Sequence, residues 1–242
     1  ISTIFLIINI IYLFKNKVKL DKKDINHIIN VMRLNVNDQI KLINNGTIYD
    51  AIITKIEKNN VLYEIIKKEE SKSLKDYKVI IACSIIKEQK MDYLLQKATE
   101  LGADEIIPII SERTIVKVKQ ASSKIDRWNR IIKESVEQCH RVSIPIIKDI
   151  ISLKELSNLE YSIKILCNTN EKSKNIKKVL QDSKKRDTII IVVGPEGGFT
   201  DSEINYLENS GFISTSLGEN ILRAETVPLY VLSVINYEFM GD

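Results

Sequence analysis

Two near-continuous apolar runs, Val79–Ile86 and Ile189–Val193, constrain the fold of this chain more than any other feature. A strand with one wet face alternates apolar and polar residues. A run without alternation belongs to a strand covered on both faces, as in a parallel sheet. Parallel neighbours need a crossover, usually a helix, and the sequence supplies crossovers. Helix Glu88–Leu101 carries Met91, Leu94, Leu95, Ala98 and Leu101 on one face, and Gly102 stands where a helix ends with positive φ. Strand Glu105–Ile110 follows. Helix Asp126–His140 then turns Trp128, Ile131, Ile132, Ser135, Val136 and Cys139 inward, with Pro145 just beyond its end. Strand Ser162–Cys167, helix Lys174–Ser183, strand Thr188–Val193, helix Asp201–Ser210, strand Ile213–Leu217 and a helix over Pro228–Met240 continue the alternation. This order predicts an α/β domain with a mostly parallel sheet covered on both faces.

The first part of the chain has a different texture. Thr3–Ile8, Gln39–Ile43, Thr47–Lys55 and Val61–Ile66 read as strands, with Asn44-Asn45-Gly46 as a hairpin turn. A short helix over Lys22–Met32 follows the N-cap candidate Asp21. The polar stretch Lys67–Asp76 marks the boundary, which divides the chain into a small β-rich domain, 1–72, and an α/β domain, 73–242. The apolar start Ile1–Phe14 is too short to span a bilayer as a helix and lacks the flanks of a signal peptide; its β-branched content reads as one or two strands.

A net charge of +4 permits a nucleic-acid partner without demanding one. Cys83, Cys139 and Cys167 are far apart, and only His27 and His140 could join them, so no metal site is expected. The sparse, odd cysteine count fits a reducing compartment, and the chain reads as cytoplasmic.

Two loops follow strand ends, where open α/β sheets bind ligands. The first is Gly194-Pro195-Glu196-Gly197-Gly198, after which Thr200 and Glu203 form a capping-box pattern. It is neither a P-loop nor a GxGxxG turn, so phosphate binding is not implied, and a plain tight turn is the competing reading. The second runs from Leu217-Gly218 through Arg223-Ala224-Glu225-Thr226, with Thr226 able to cap the last helix. Here the competing reading is a solvated Arg–Glu pair.

GPEGGFTDSEI and LGENILRAET, with KEQKMDYLLQKATELGADEIIPIISERTIVK (Lys87–Lys117), WNRIIKESVEQCHRVSIP (Trp128–Pro145) and HIINVMRL (His27–Leu34), resemble segments of the bacterial ribosomal RNA small subunit methyltransferase E family, in the same order. That family is in the SPOUT class of knotted methyltransferases. The resemblance implies a PUA-like β-barrel first domain that helps hold RNA, and a second domain tied in a trefoil knot. It further implies a homodimer that methylates N3 of a uridine in 16S ribosomal RNA, using S-adenosylmethionine, without a metal or a membrane. Leu166, Gly194, Glu196, Gly197, Gly198, Leu217, Gly218, Ile221, Leu222 and Thr226 would then form the cofactor pocket.

Uridine N3 is a poor nucleophile until its proton leaves, and the anion spreads charge onto the flanking carbonyls. Arg223 is the candidate to stabilise that charge, and Glu225 is a possible base or an orienter of Arg223. Arg33, Arg113 and Arg141 are candidates for RNA contact. Lys90, Lys97, Glu100, Glu137 and Gln138 divide between RNA contact, dimer contact and solvated surface, while His27 and His140 read as structural. Two alternatives stay open: another knotted methyltransferase acting on a ribose 2′-hydroxyl or a guanine nitrogen, or a relative that binds RNA without chemistry.

Overall fold

The computed structural model describes residues 4–7, 13–14, 17–18, 20, 22–44, 46–58, 60–70, 75–116, 121–183 and 188–239. By internal packing the chain forms two units. One is Ile1–Leu74 with Val136–Ile144; the other is Lys75–Ser135 with Pro145–Asp242.

In the first unit, β1 (Ile4–Ile7), β4 (Gln39–Asn44), β5 (Thr47–Glu57) and β6 (Asn60–Glu70) form one sheet in that order. β1 runs parallel to β4 and the other pairs are antiparallel. A separate ribbon joins β2 (Leu13–Phe14) to β3 (Lys17–Val18). The β4–β5 hairpin turns where expected, with Asn44 opposite Thr47 and Gly46 at φ +80°. Tyr49, Ala51 and Ile53 of β5 alternate into a core with Ile40, Leu42, Val61 and Tyr63, closed by Leu20, Ile25 and Ile28.

Two expectations change here. The helix is α1 (Lys22–Asn26) continued by a wider π-type turn, His27–Val31, and its N-cap candidate Asp21 lies outside the described residues. The start of the polar boundary stretch, Lys67–Glu70, continues β6, pairing Lys67 with Asp50 and Glu70 with Thr47. β6 is the sheet's last strand, and the charges of Lys67, Lys68, Glu69 and Glu70 are what an exposed edge carries.

The second unit contains β7 (Lys78–Ser84), α2 (Glu88–Glu100), β8 (Glu105–Ile110), α3 (Ala121–Cys139, ending in the first unit), β9 (Ile146–Ile147), β10 (Ile151–Ser152), α4 (Leu153–Ser157), β11 (Ile163–Cys167), α5 (Ile176–Gln181), β12 (Thr188–Val193), α6 (Asp201–Asn209), β13 (Ile213–Thr215) and α7 (Val227–Phe239). The sheet order is β10-β8-β7-β12-β11-β13, with β9 also beside β8, and each pairing is parallel. In β7 and β12 every residue after the first is buried, which is what the two apolar runs require. Ile80, Ala82, Ile190, Val192 and Leu166 face a core shared with Leu153 and Leu156 of α4 and Leu207 of α6. On the other side α7 packs against β12, α2 and α5.

α3 begins at Ala121, ahead of the expected Asp126, because Ala121–Lys124 form helix without an apolar stripe to announce it. β9, β10 and α4 have no counterpart among the expected elements. Two-residue strands show no period, but α4 starts on a Ser152–Glu155 capping box. Gly102 takes the positive φ expected of it, +91°, and the end of α2 is held by Lys75 Nζ and Asn236 Nδ2, which donate to the Gly102 and Leu101 carbonyls.

His140, which follows α3, is also left-handed, at φ +58°. The Arg141 N–H donates back to the Val136 carbonyl at 3.2 Å, closing a Schellman turn. Histidine tolerates this conformation better than branched residues do. His140→Val and His140→Gly remove the same side chain, so their difference isolates the backbone. Urea unfolding should find the valine variant less stable than the glycine variant by about 1 kcal/mol, after allowance for the entropy that glycine adds to the unfolded chain. Equal stabilities would show that the turn carries no strain.

Candidate active site

β12, β11 and β13 are neighbours, and the loops leaving their C-terminal ends enclose a cavity of about 490 Å³. Gly194, Glu196, Gly197, Gly198, Leu217, Gly218, Ile221, Leu222 and Arg223 line it, together with Arg113. Leu166, Glu225 and Thr226 do not. Leu166 is fully buried in the core, and its neighbour Cys167 reaches the cavity instead. Thr226 directly precedes α7, where its carbonyl accepts from the Tyr230 N–H.

The loop after β12 is a tight turn in which the Gly198 N–H donates to the Pro195 carbonyl at 2.9 Å. Gly198 sits at φ +67°, which favours glycine. A side chain at Gly194 would press on the Phe199 ring at 3.2 Å. The capping box is formed: Thr200 Oγ1 accepts from the Glu203 N–H, and Glu203 Oε2 from the Thr200 N–H. The segment after β8 fastens this loop from outside. Arg113 Nη1 donates to the Gly197 carbonyl at 2.8 Å, and the Glu112 N–H to Glu203 Oε1 at 2.7 Å. Arg113 is thus placed at the cavity, whereas Arg33, at φ +53°, and Arg141, whose Nε donates to Ser143, lie in the first unit.

In the loop after β13, Gly218 takes φ +124°, and Ile221 is 80% exposed. Arg223 is exposed, and its carbonyl accepts from the Thr226 and Val227 N–H groups. Among the described residues its guanidinium has no hydrogen bond or ion pair. Glu225, by contrast, is 9% exposed, and its Oε2 has no hydrogen-bond partner. The cation facing it is Lys90, with Nζ 3.4 Å from Glu225 Oε2 and 3.6 Å from Glu196 Oε1.

Sequence reasoning left Lys90 undecided and missed the third wall, the loop after β11, where Asn168, Thr169, Asn170 and Lys172 line the cavity. The available signal was positional, a polar loop leaving the end of a buried parallel strand. Asn168 Nδ2 donates to Ser214 Oγ at 3.2 Å. Hydrogen bonds from the Ser173 hydroxyl and the Lys174 and Ser173 N–H groups bring the Glu171 carboxyl down to about 2. Their stabilising contribution is complete above the ordinary carboxylate range and is lost as pH falls towards about 2. Burial pushes the Cys167 thiol up to about 12, so it is not a thiolate near neutrality. No cluster of metal-ligating side chains occurs among the described residues.

A parallel sheet with a glycine-walled cavity at its strand ends, behind a small mostly antiparallel sheet in the sequence, is the arrangement that family models match as an RNA methyltransferase with a PUA domain. A model of the RNA methyltransferase domain matches residues 73–236, and one of the RNA methyltransferase PUA domain matches 20–66. The chain is 34% identical to ribosomal RNA small subunit methyltransferase E of Bacillus subtilis, over 89% of this chain and 88% of that protein. It is 34% identical to the protein of that name from Rickettsia conorii, over 87% and 85%. Its fold is similar to ribosomal RNA small subunit methyltransferase E from Neisseria gonorrhoeae, solved bound to S-adenosyl methionine, with a TM-score of 0.87 at 30% identity over 98% of both chains. Lpg2936 from Legionella pneumophila, solved with the cofactor SAM, gives a TM-score of 0.90 at 28% identity, again over 98% of both chains. The chain belongs to the ribosomal RNA small subunit methyltransferase E family.

The Arg113 bond makes a local prediction. Arg113→Ala should cost about 1–2 kcal/mol of stability and raise amide hydrogen exchange in the 194–200 loop. Unchanged exchange there would mean that the loop keeps its shape without the arginine.

Proposed function

We propose that this chain transfers the methyl group of S-adenosylmethionine to N3 of a uridine in 16S ribosomal RNA, as a cytoplasmic homodimer. The observation that carries the reading is the Arg223 guanidinium, without a partner among the described residues and lining the cavity beside glycine-rich backbone. The cavity fits the cofactor. Its volume of about 490 Å³ lies within the range of about 300–1,000 Å³ usual for small-molecule sites. Gly198 and Gly218 allow close backbone approach, Leu217, Ile221 and Leu222 supply apolar surface, and Glu196 is a carboxylate for the cofactor's hydroxyls or amine. When bound, the cofactor supplies an electrophilic methyl group on a sulfonium.

Arg223 holds the base by its carbonyl edge and stabilises the charge that develops as N3 loses its proton. Of the two parts open to Glu225, burial tells against its touching the base directly, and the lack of an ion pair with Arg223 among the described residues tells against its orienting that side chain; the cation it faces is Lys90. N3 is hidden in a base pair, so the target uridine must be unpaired or flipped out. Arg33 and Arg141 bind RNA from the first unit, and Arg113 keeps donors for RNA beyond the one given to Gly197. The boundary at 72/73 is supported by family matches at 20–66 and 73–236, and the trefoil knot rests on the family resemblance. The dimer reading rests on the resemblance and on Tyr230 and Tyr237, which α7 turns outward. No described helix is long and apolar enough to cross a membrane.

Purified protein given S-adenosylmethionine and unmodified 16S ribosomal RNA should yield 3-methyluridine on nucleoside mass spectrometry. A 2′-O-methyl nucleoside or a methylguanine would replace this reading with its enzymatic alternatives, and no product at all would favour a binding protein. Arg223→Ala should slow single-turnover methylation by about a hundred- to a thousand-fold while changing cofactor affinity little, and Arg223→Lys should restore little of the rate. A near-normal rate in Arg223→Ala would remove its assigned part.

A further inference from the structure

Lys90 stands in the first turn of α2, far in sequence from both glycine loops, yet its ammonium lies between a carboxylate from each. Glu196 belongs to the loop after β12 and Glu225 to the loop after β13. The Lys90 side chain is 32% exposed, that of Glu196 25% and that of Glu225 12%. The cluster is therefore partly desolvated and less screened than an exposed pair. Glu225 is the strained member, because its Oε2 is buried without a hydrogen bond and Lys90 is the cation that faces it. Without that cation, the Glu196 and Glu225 carboxylates, 3.6 Å and 3.4 Å from its ammonium, would be left as neighbouring like charges, one of them nearly dry. Like charges in that setting push their loops apart.

We infer that Lys90 is a positioning residue for cofactor binding, its ammonium serving as the shared counter-ion that keeps the two glycine loops at the spacing the cavity needs. This rests on the reading that the cavity takes S-adenosylmethionine. Lys90 itself lines the cavity, and the part assigned to it here is exerted through Glu196 and Glu225, so that its effect falls on affinity before it falls on the methyl-transfer step.

Calorimetry with S-adenosylhomocysteine, which reports on the pocket whichever nucleotide is methylated, tests this on the full chain. Lys90→Met should raise the Kd about tenfold or more, because it leaves a buried carboxylate uncompensated. Lys90→Arg, which keeps the charge, should recover most of the affinity. The double variant Lys90→Met/Glu225→Gln should bind more tightly than Lys90→Met alone, since the uncompensated charge is then gone. A thermal melt of Lys90→Met beside the wild type separates loss of affinity from loss of fold. Single-turnover rates at saturating cofactor should fall less than affinity does in Lys90→Met. A Kd within twofold of wild type in Lys90→Met overturns the inference, as does a double variant whose loss is the product of the two single losses. If the wild-type protein itself does not bind S-adenosylhomocysteine, the cofactor reading fails first.

Discussion

Burial of β7 and β12 on both faces is the constraint from which the rest of the second unit follows. A strand with no wet face has no place for a charged side chain, so the charged groups of a site are carried only where the strand stops. β12 shows the change at its end: Val193, still buried, and Gly194 both line the cavity. Parallel pairing puts every C-terminal strand end on one edge of the sheet, and the adjacency of β12, β11 and β13 then converges three loops. The sheet fixes where a ligand can bind before any loop residue is chosen.

The loops acquire their shape from groups outside themselves. Glu203 closes the helix cap of its own loop with one carboxylate oxygen and accepts from the Glu112 N–H with the other. Arg113 reaches from the same segment to the Gly197 carbonyl. A glycine turn gains freedom to approach a ligand and loses rigidity by the same substitution of hydrogen for side chain. Here rigidity is returned by tethers from the segment after β8, so freedom and order come from different parts of the chain.

The periodic features were legible in the sequence. The two apolar runs, the inner face of α2, the Gly102 stop, the Asn44–Thr47 hairpin and the Thr200–Glu203 cap all depend on neighbours within a few residues. The edge strands β9 and β10 were not legible, because two residues cannot display a period and their pairing with β8 is decided by distant sequence. The polar end of β6 was hidden for a related reason: an edge strand tolerates charges that read as linker. At the site, the glycines and Arg223 were visible as a local pattern. The part played by Lys90 was not, since one lysine in a first helical turn means nothing until the fold brings Glu196 and Glu225 to it. Leu166 shows the converse error of one residue along a strand, where Cys167 takes the cavity position and Leu166 the core.

The two sheets also differ in the order in which they can be made. In the first unit, β4, β5 and β6 are successive hairpins, and each pairing closes a short loop. In the second, Lys78 of β7 must find Thr188 of β12, with α2, β8, α3 and β11 already synthesised between them. Loop-closure entropy is spent before such a pairing returns any contact, which makes long-range parallel sheets slow to form. The cavity is walled by the loops after β12, β11 and β13 and cannot exist until β12 docks. Binding competence therefore comes late in folding, and a nascent chain lacks the ligand pocket until the loop after β13 has been synthesised.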